Sequence, residues 1–230
     1  MKERIVVLTG AGMSAESGLK TFRDADGLWE GHDVMEVASP EGWARDRLLV
    51  LDFYNQRRRQ LMDVEPNAGH KALVKLEDRY EVTIITQNVD DLHERAGSSN
   101  VIHLHGELLK VRSTGNPSYV LDWNKDLNNG DQDPEGYQMR PHIVWFGEAV
   151  PLIEVAAELV STAHKVIIIG TSLQVYPAAG LVGYAAADAE IYYIDPRPAT
   201  NYELEFRKGL EIIAKAASVG VVELVEELAT

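Results

Sequence analysis

The chain contains no cysteine. That absence excludes a disulfide framework, thiolate-built zinc or iron–sulfur sites and a cysteine nucleophile, so any covalent chemistry has to come from other groups. Basic residues are also scarce: 22 Lys and Arg stand against 36 Asp and Glu, a formal charge of −14. Nucleic-acid binding rests on phosphate neutralisation by a basic face, and this balance argues against such a partner. Long apolar runs are missing as well. Ile5 to Leu8, Val166 to Ile169 and Ile191 to Ile194 are strand-sized, too short for a signal-peptide core or a bilayer span. No membrane partner is expected, and a cytoplasmic location is the default. Repeats and low-complexity tracts do not stand out.

What is present suits a globular α/β protein. Hydrophobic residues make up 45% and charged residues 25% of 230 positions, enough to bury a sizeable core. Apolar, β-branched runs at Ile5–Leu8, Val82–Ile85, Val166–Ile169 and Ile191–Ile194 read as buried strands of a parallel sheet. Helical patterns alternate with them. Val221, Leu224, Val225 and Leu228 repeat at helical spacing, with Ser218 placed as cap. Leu48 to Leu61 reads as a second helix with Leu48, Leu51 and Leu61 on its inner side. The expected fold is a Rossmann-like parallel sheet with helices on both faces and a smaller inserted lobe. Residues 1–27, 68–110 and 141–230 form its core and 28–67 a helical insertion. The turn-rich stretch 111–140, with its Ser113–Pro117, Asn128–Asp131 and Asp133–Gly136 clusters, forms the lobe.

After the first strand, Gly10-Ala11-Gly12-Met13-Ser14-Ala15 fits G-x-G-x-x-G/A opening a helix, a pattern that lets backbone approach a pyrophosphate. A tight strand-to-helix turn without ligand is the alternative. A hydride-transferring unit would return to a second strand ending in an acidic residue some 20 positions on; the run from Ser17 to Trp29 contains no strand, which points away from redox chemistry. Further polar clusters follow the other strands: Thr86-Gln87-Asn88-Val89-Asp90, Gly170-Thr171-Ser172 and Asp195-Pro196-Arg197. Open α/β sheets place ligands at such carboxyl ends.

These segments, together with Glu16-Ser17-Gly18, Phe22-Arg23, His103-Leu104-His105-Gly106, Phe146-Gly147-Glu148 and Val175-Tyr176-Pro177, resemble in kind and order the motifs of the sirtuins, NAD-dependent protein lysine deacylases. The resemblance runs from about Ile5 to Leu228. It implies NAD as co-substrate and acylated-lysine proteins as partners. By this resemblance, the acyl oxygen is expected to attack the nicotinamide ribose, nicotinamide to leave, and a ribose hydroxyl then to be activated, with O-acyl-ADP-ribose as product. The resemblance implies His105 as base, with Asn88 and Asp90 as its catalytic companions. Cofactor contacts are implied for Gly10, Ala11, Gly12, Ser14, Ala15, Phe22, Arg23, Trp29, Gln87, Val89, Gly170, Thr171, Ser172, Asp195, Pro196, Arg197 and Ala217. His103 is expected on the face opposite His105; His32, His70, His93, His142 and His164 are read as structural or solvated. Substrate main chain is expected between Phe146-Gly147-Glu148 and Val175-Tyr176, as an added strand.

Tyr54 and Arg57 stand three apart, on one helical face. Arg is shaped to grip a carboxylate, and in the sirtuins that remove succinyl, malonyl or glutaryl groups a Tyr-x-x-Arg pair reads the acid end of the acyl chain. Ala38 resembles the small residue that widens their acyl pocket. The plainer reading is that Arg57-Arg58-Arg59 is a solvated basic face. A general deacetylase, an ADP-ribosyl transferase and a catalytically silent NAD-sensing module are the alternatives in function. Two departures stand out. Asp195 occupies the place of an Asn, and the four zinc cysteines of the small lobe are absent, Ser113 standing where the first is expected. A zinc-free, more mobile lobe held by Tyr119, Leu121, Trp123, Tyr137 and Met139 is expected.

Overall fold

The computed structural model describes residues 2–20, 28–205 and 207–229. Phe22 and Arg23 lie outside the described residues. Six strands form one parallel sheet in the order Leu210–Ile213, Glu190–Ile194, Lys165–Ile169, Arg4–Thr9, Glu81–Thr86, Val101–His103. The Arg4–Thr9 strand alternates between two interiors. Ile5 and Val7 join Ile84 and Ile167 beneath the helices Ala68–Leu76 and Ala217–Leu228. Val6 and Leu8 join Ile85 and Ile168 beneath the helix Ile153–Ser161 and the 3₁₀ segment Ala178–Tyr184. Burial on both faces explains why the strands read as unbroken apolar runs, and each such side chain contributes about 1.5–3 kcal/mol. No helix among the described residues is long and apolar enough to cross a membrane.

Ser218 is not the cap of the last helix. That helix starts at Ala217 without a side-chain cap of its own, and Ser218 sits in its first turn. The Glu16 carboxylate accepts both the Ser218 N–H (2.9 Å) and its hydroxyl (2.7 Å). A negative group from the glycine loop thus serves this helix amino terminus from across the chain.

Between the first two sheet strands, a hairpin (Leu28–Trp29 with His32–Asp33) leads into helices Val34–Val37, Pro40–Arg45 and Arg47–Met62. Asp33, Ser39 and Asp46 each accept an N–H at a helix start. In the longest helix Leu51 and Leu61 point inward as expected, but Leu48 is 65% exposed. Val50, Phe53 and Tyr54 make the inner face instead, because at about 3.6 residues per turn Leu48 falls about 120–160° around the helix from them. Successive residues around a helix also separate the three arginines. Arg57 approaches Glu30; Arg58 is buried and donates to the Leu108 carbonyl and the Asn55 amide oxygen; Arg59 is exposed and pairs with Asp126 at 2.6 Å. A single solvated basic face does not form.

The small lobe is a three-stranded antiparallel sheet ordered Val120–Asp122, Gly106–Ser113, Met139–Ile143. Its core differs from the expected set: Val111, Leu127 and Met139 pack with Leu51 of the long helix, Tyr119 and Trp123 lean against them, and Leu121 and Tyr137 are exposed. Ser113, buried, donates its hydroxyl to Asp133 and accepts the N–H groups of Gly115 and Asn116 at 3.0 Å. Asp133 in turn accepts the N–H groups of Glu135 and Tyr137 at 2.9 Å. Two turns are therefore tied by one side-chain pair that collects four backbone donors. The Ser113 hydroxyl holds the Asp133 carboxyl below its usual range, the turn amides adding to the effect. Among the described residues, no group of three or more His, Cys, Asp or Glu is placed to hold a metal ion.

Candidate active site

Strand register brings the polar clusters to one level. Thr9 pairs with both Thr86 and Ile169, and Ile169 with Ile194. Gly10, Gln87, Gly170 and Asp195, each the next residue, therefore line up along one sheet edge. The chain leaves the central Arg4–Thr9 strand toward one side and later returns to the other, so the Gly10 and Gly170 loops flank a topological switch point, where open α/β sheets hold ligands.

The two loops touch. Gly12 donates to the Gly170 carbonyl at 2.8 Å, and a Cβ on Gly170 would lie 2.4 Å from the Met13 nitrogen. Gly170 also takes φ +59°, unfavourable for a side chain. Loop-to-loop contact is thus what these glycines permit in the structure, in addition to the approach of a ligand expected from the motif.

Ser14 links the first loop to the second cluster. Its hydroxyl donates to Asp90 at 2.9 Å and accepts from the Asn88 amide at 3.1 Å, and the same amide donates to the Gly10 carbonyl at 3.1 Å. Asp90 and Asn88 are buried, and burial raises the Asp90 carboxyl despite the Ser14 bond. Gln87 reaches the third cluster through the Thr171 hydroxyl at 3.2 Å.

The histidines separate by partner. His105 Nδ1 lies 3.0 Å from the Gln87 carbonyl; a carbonyl only accepts, so Nδ1 carries the proton and Nε2 keeps its lone pair. Burial lowers its pKa, the Gln87 contact opposing, which favours the neutral ring. His103 instead bonds Glu94 at 2.7 Å and the Asn88 carbonyl at 3.3 Å. Two acceptors suit an imidazolium: burial lowers its pKa, but Glu94, with Glu107 and the Asn88 carbonyl, more than offsets this and the net shift is upward. His70 and His93 are buried with rings 4.9 Å apart, and burial drives both pKa values down.

A cavity of about 480 Å³ joins these groups, within the usual range for small-molecule sites. Of the residues singled out in the sequence, it is lined by Gly10, Ala11, Gly12, Ser14, Ala15, Trp29, Ala38, Arg57, Gln87, Asn88, Val89, Asp90 and His105. Phe146, Gly147, Glu148, Gly170, Thr171, Ser172, Val175, Tyr176, Asp195, Pro196 and Arg197 complete that set. Ala217 is packed in the sheet core and Ala216 takes its place on the wall. Tyr54 is fully buried one layer back, its hydroxyl accepting from the indole N–H of Trp145 at 2.9 Å; burial raises its pKa. Trp145 and Glu30, neither singled out in the sequence, line the cavity, as does Glu16 of the Glu16-Ser17-Gly18 segment. Trp145 adjoins Phe146 and Glu30 adjoins Trp29, and that adjacency was the available signal. A larger depression of about 940 Å³ at the amino ends of the strands is lined by Lys2, Arg4, Glu77 and Glu81, away from every loop that carries chemistry.

Two placements refine the expected roles. The Glu148 carboxylate is held by Arg140 (2.7 Å), Arg112 (3.1 Å) and the Trp145 N–H (2.8 Å), so it anchors its loop. The N–H groups of Phe146 and Glu148 are bonded to the Ala38 and Trp145 carbonyls, and a strand added there would pair through Gly147 and the carbonyls. Asp195, buried, accepts the Arg197 N–H at 2.8 Å. Hydroxyls, amides, two buried carboxylates and the Arg197 side chain form a donor and acceptor set suited to ribose and phosphate groups.

The Sir2 family model matches residues 10–177. A curated NAD-dependent protein deacylase of Helicobacter pylori is 67% identical over 195 residues, 85% of each chain; one of Bacteroides thetaiotaomicron is 54% identical over 228 residues, 96% of each. Among solved structures, a Sir2 homologue–NAD complex superposes with TM-score 0.87 at 36% identity, covering 99% of this chain and 90% of the other. A mutant Sir2 homologue bound to ADP-ribose reaches 0.89 at 36% identity, covering 99% and 92%. The motifs in their order, the site they build and these likenesses agree: the chain belongs to the Sir2 family.

Proposed function

We propose that this protein removes acyl groups from lysine side chains of proteins with a preference for acidic acyl chains, succinyl and malonyl among them. It is a Sir2-family enzyme that consumes NAD, and the donor set at the switch point fits that co-substrate. Bound there, NAD supplies the leaving nicotinamide and the ribose hydroxyl that receives the acyl group. Asn88 and Asp90, fixed through Ser14, orient the nicotinamide ribose, and Gln87 contacts it. His105 accepts the proton of the ribose hydroxyl at Nε2, the nitrogen its Gln87 bond leaves free; a base with a depressed pKa is deprotonated and ready at neutral pH. An acylated lysine enters beside Phe146–Glu148 and Val175–Tyr176.

One observation carries the acidic preference: the Arg57 guanidinium stands on the wall of the same cavity as Ala38 and His105, and its Nε has no hydrogen-bond partner among the described residues. That Nε is sealed from solvent, so a carboxylate at the end of an acyl chain would pair with the terminal nitrogens, of which Nη1 lies 3.5 Å from Glu30, short of a well-formed hydrogen bond. Tyr54 supports this wall through Trp145. Arg57→Met is expected to lower kcat/KM for succinyl-lysine peptide by about 10- to 150-fold relative to acetyl-lysine peptide, equivalent to the loss of about 1.5–3 kcal/mol from a charged hydrogen bond. Equal loss on both peptides assigns Arg57 to the fold and removes the preference. General deacetylation is the second reading, favoured by the contact between Arg57 and Glu30 at 3.5 Å, which partly neutralises the guanidinium for a neutral acyl group.

A further inference from the structure

Glu30 is an unusual residue for its position. It and Gly31 form the two-residue turn between Leu28–Trp29 and His32–Asp33, with φ +51° at Glu30 and +85° at Gly31. Hairpins of this length favour Asn, Asp or Gly at both central positions, because other side chains crowd the backbone in the left-handed region. A glutamate there is strained, and strain of this kind persists where surrounding contacts over-determine it.

Those contacts lie in the cavity. The Glu30 side chain is only 11% exposed, and its Oε2 lies 3.2 Å from Lys20 Nζ and 3.5 Å from Arg57 Nη1. Glu30, Lys20 and Arg57 all line the cavity that contains His105. The contact to Arg57 is within ion-pair range but beyond a well-formed N–H···O hydrogen bond. Arg57 Nε is buried and unbonded, so the guanidinium is neutralised without being saturated. Lys20, with its side chain 70% exposed, is bound to the same carboxylate oxygen and offers Glu30 a second cation.

We propose that Glu30 sets acyl selectivity as an internal carboxylate that competes with the acid end of the acyl chain for Arg57. The inference rests on Arg57 reading that acid. With a neutral acyl group bound, Glu30 supplies the counter-charge that a partly buried guanidinium needs. With an acidic acyl group bound, two carboxylates meet at one guanidinium; Glu30 then keeps Lys20 as partner and yields Arg57. Its presence narrows the advantage of acidic substrates and preserves activity on acetyl-lysine.

The test is a cycle of kcat/KM values on succinyl-lysine and acetyl-lysine peptides with saturating NAD, using wild type, Glu30→Gln, Arg57→Met and the double variant. Glu30→Asn, which removes the same charge and suits the left-handed turn, guards against a folding defect. Both Glu30 variants are expected to raise the succinyl-to-acetyl ratio about fivefold, the factor for an ion pair of about 1 kcal/mol. In the Arg57→Met background the same change is expected to leave the ratio unaltered. An unchanged or lower ratio in both Glu30 variants, with Arg57→Met still lowering it, overturns the competitor role and leaves the Arg57 reading intact. An unchanged ratio in Arg57→Met alone overturns that reading and the inference with it.

Discussion

Acidification tests the packing beneath the glycine loop through His70. This ring is fully buried and its Nδ1 accepts the Asn67 N–H at 3.3 Å, which places the proton on Nε2, a nitrogen without a partner among the described residues. Burial lowers its pKa from 6.5 to about 4, and the neighbouring His93 is lowered too. The unfolded chain therefore binds protons that the folded chain refuses, so stability falls as pH drops from 6.5 toward 4. For His70 alone the loss is about 2 kcal/mol by pH 5 and approaches about 3 kcal/mol below pH 4, at 1.36 kcal/mol per unit. In a domain of this size 2 kcal/mol corresponds to about 4–8 °C in Tm. Asn67 also donates to the Met13 carbonyl at 2.8 Å and to the Ser17 hydroxyl at 3.1 Å, so the loss reaches the loop that flanks the site. Denaturant titrations at pH 7.5 and pH 5 on wild type and His70→Gln measure it. The variant is expected to be less stable at pH 7.5 and to lose about 2 kcal/mol less between the two pH values. Equal losses in the two proteins would refute the assignment of the proton to this buried ring.

Two further changes address the site and the lobe. His105→Ala is expected to abolish deacylation while calorimetry still detects NAD binding, since the side chain removed is the proposed base and the glycine loops are untouched; near-normal turnover contradicts that role. Ser113→Ala removes the partner of Asp133 and leaves the N–H groups of Gly115 and Asn116 without their acceptor. Faster amide exchange across residues 113–117 and 133–137 and a lower Tm are expected, and exchange like wild type shows the pair to be dispensable.

The sheet was legible in the sequence because each strand is buried on both faces and reads as a short apolar run between breakers. The polar clusters followed, since ligand loops of such sheets sit at strand ends. Contacts between distant segments were harder to read. Ser218 has the chemistry of a cap, yet Glu16 performs that service from the opposite end of the chain. Arg57, Arg58 and Arg59 look alike in sequence; only their partners Glu30, Leu108 and Asp126 distinguish a cavity wall, a buried strut and a surface pair. Leu127, isolated among turn residues, gave no periodic signal, but its N–H and carbonyl are both bonded by Asn55 and it closes the lobe core. Glu30 was hidden for the same reason, its significance lying in a backbone angle and in two cations elsewhere in the chain.

The central claim concerns which acyl group the cavity prefers. Wild-type protein with NAD and one peptide sequence carrying acetyl-, malonyl-, succinyl- or glutaryl-lysine gives four kcat/KM values under identical conditions. Higher values for the acidic acyl groups than for acetyl, with matching nicotinamide release and O-acyl-ADP-ribose by mass spectrometry, are the result predicted. An acetyl value equal to or above all three acidic ones would contradict it.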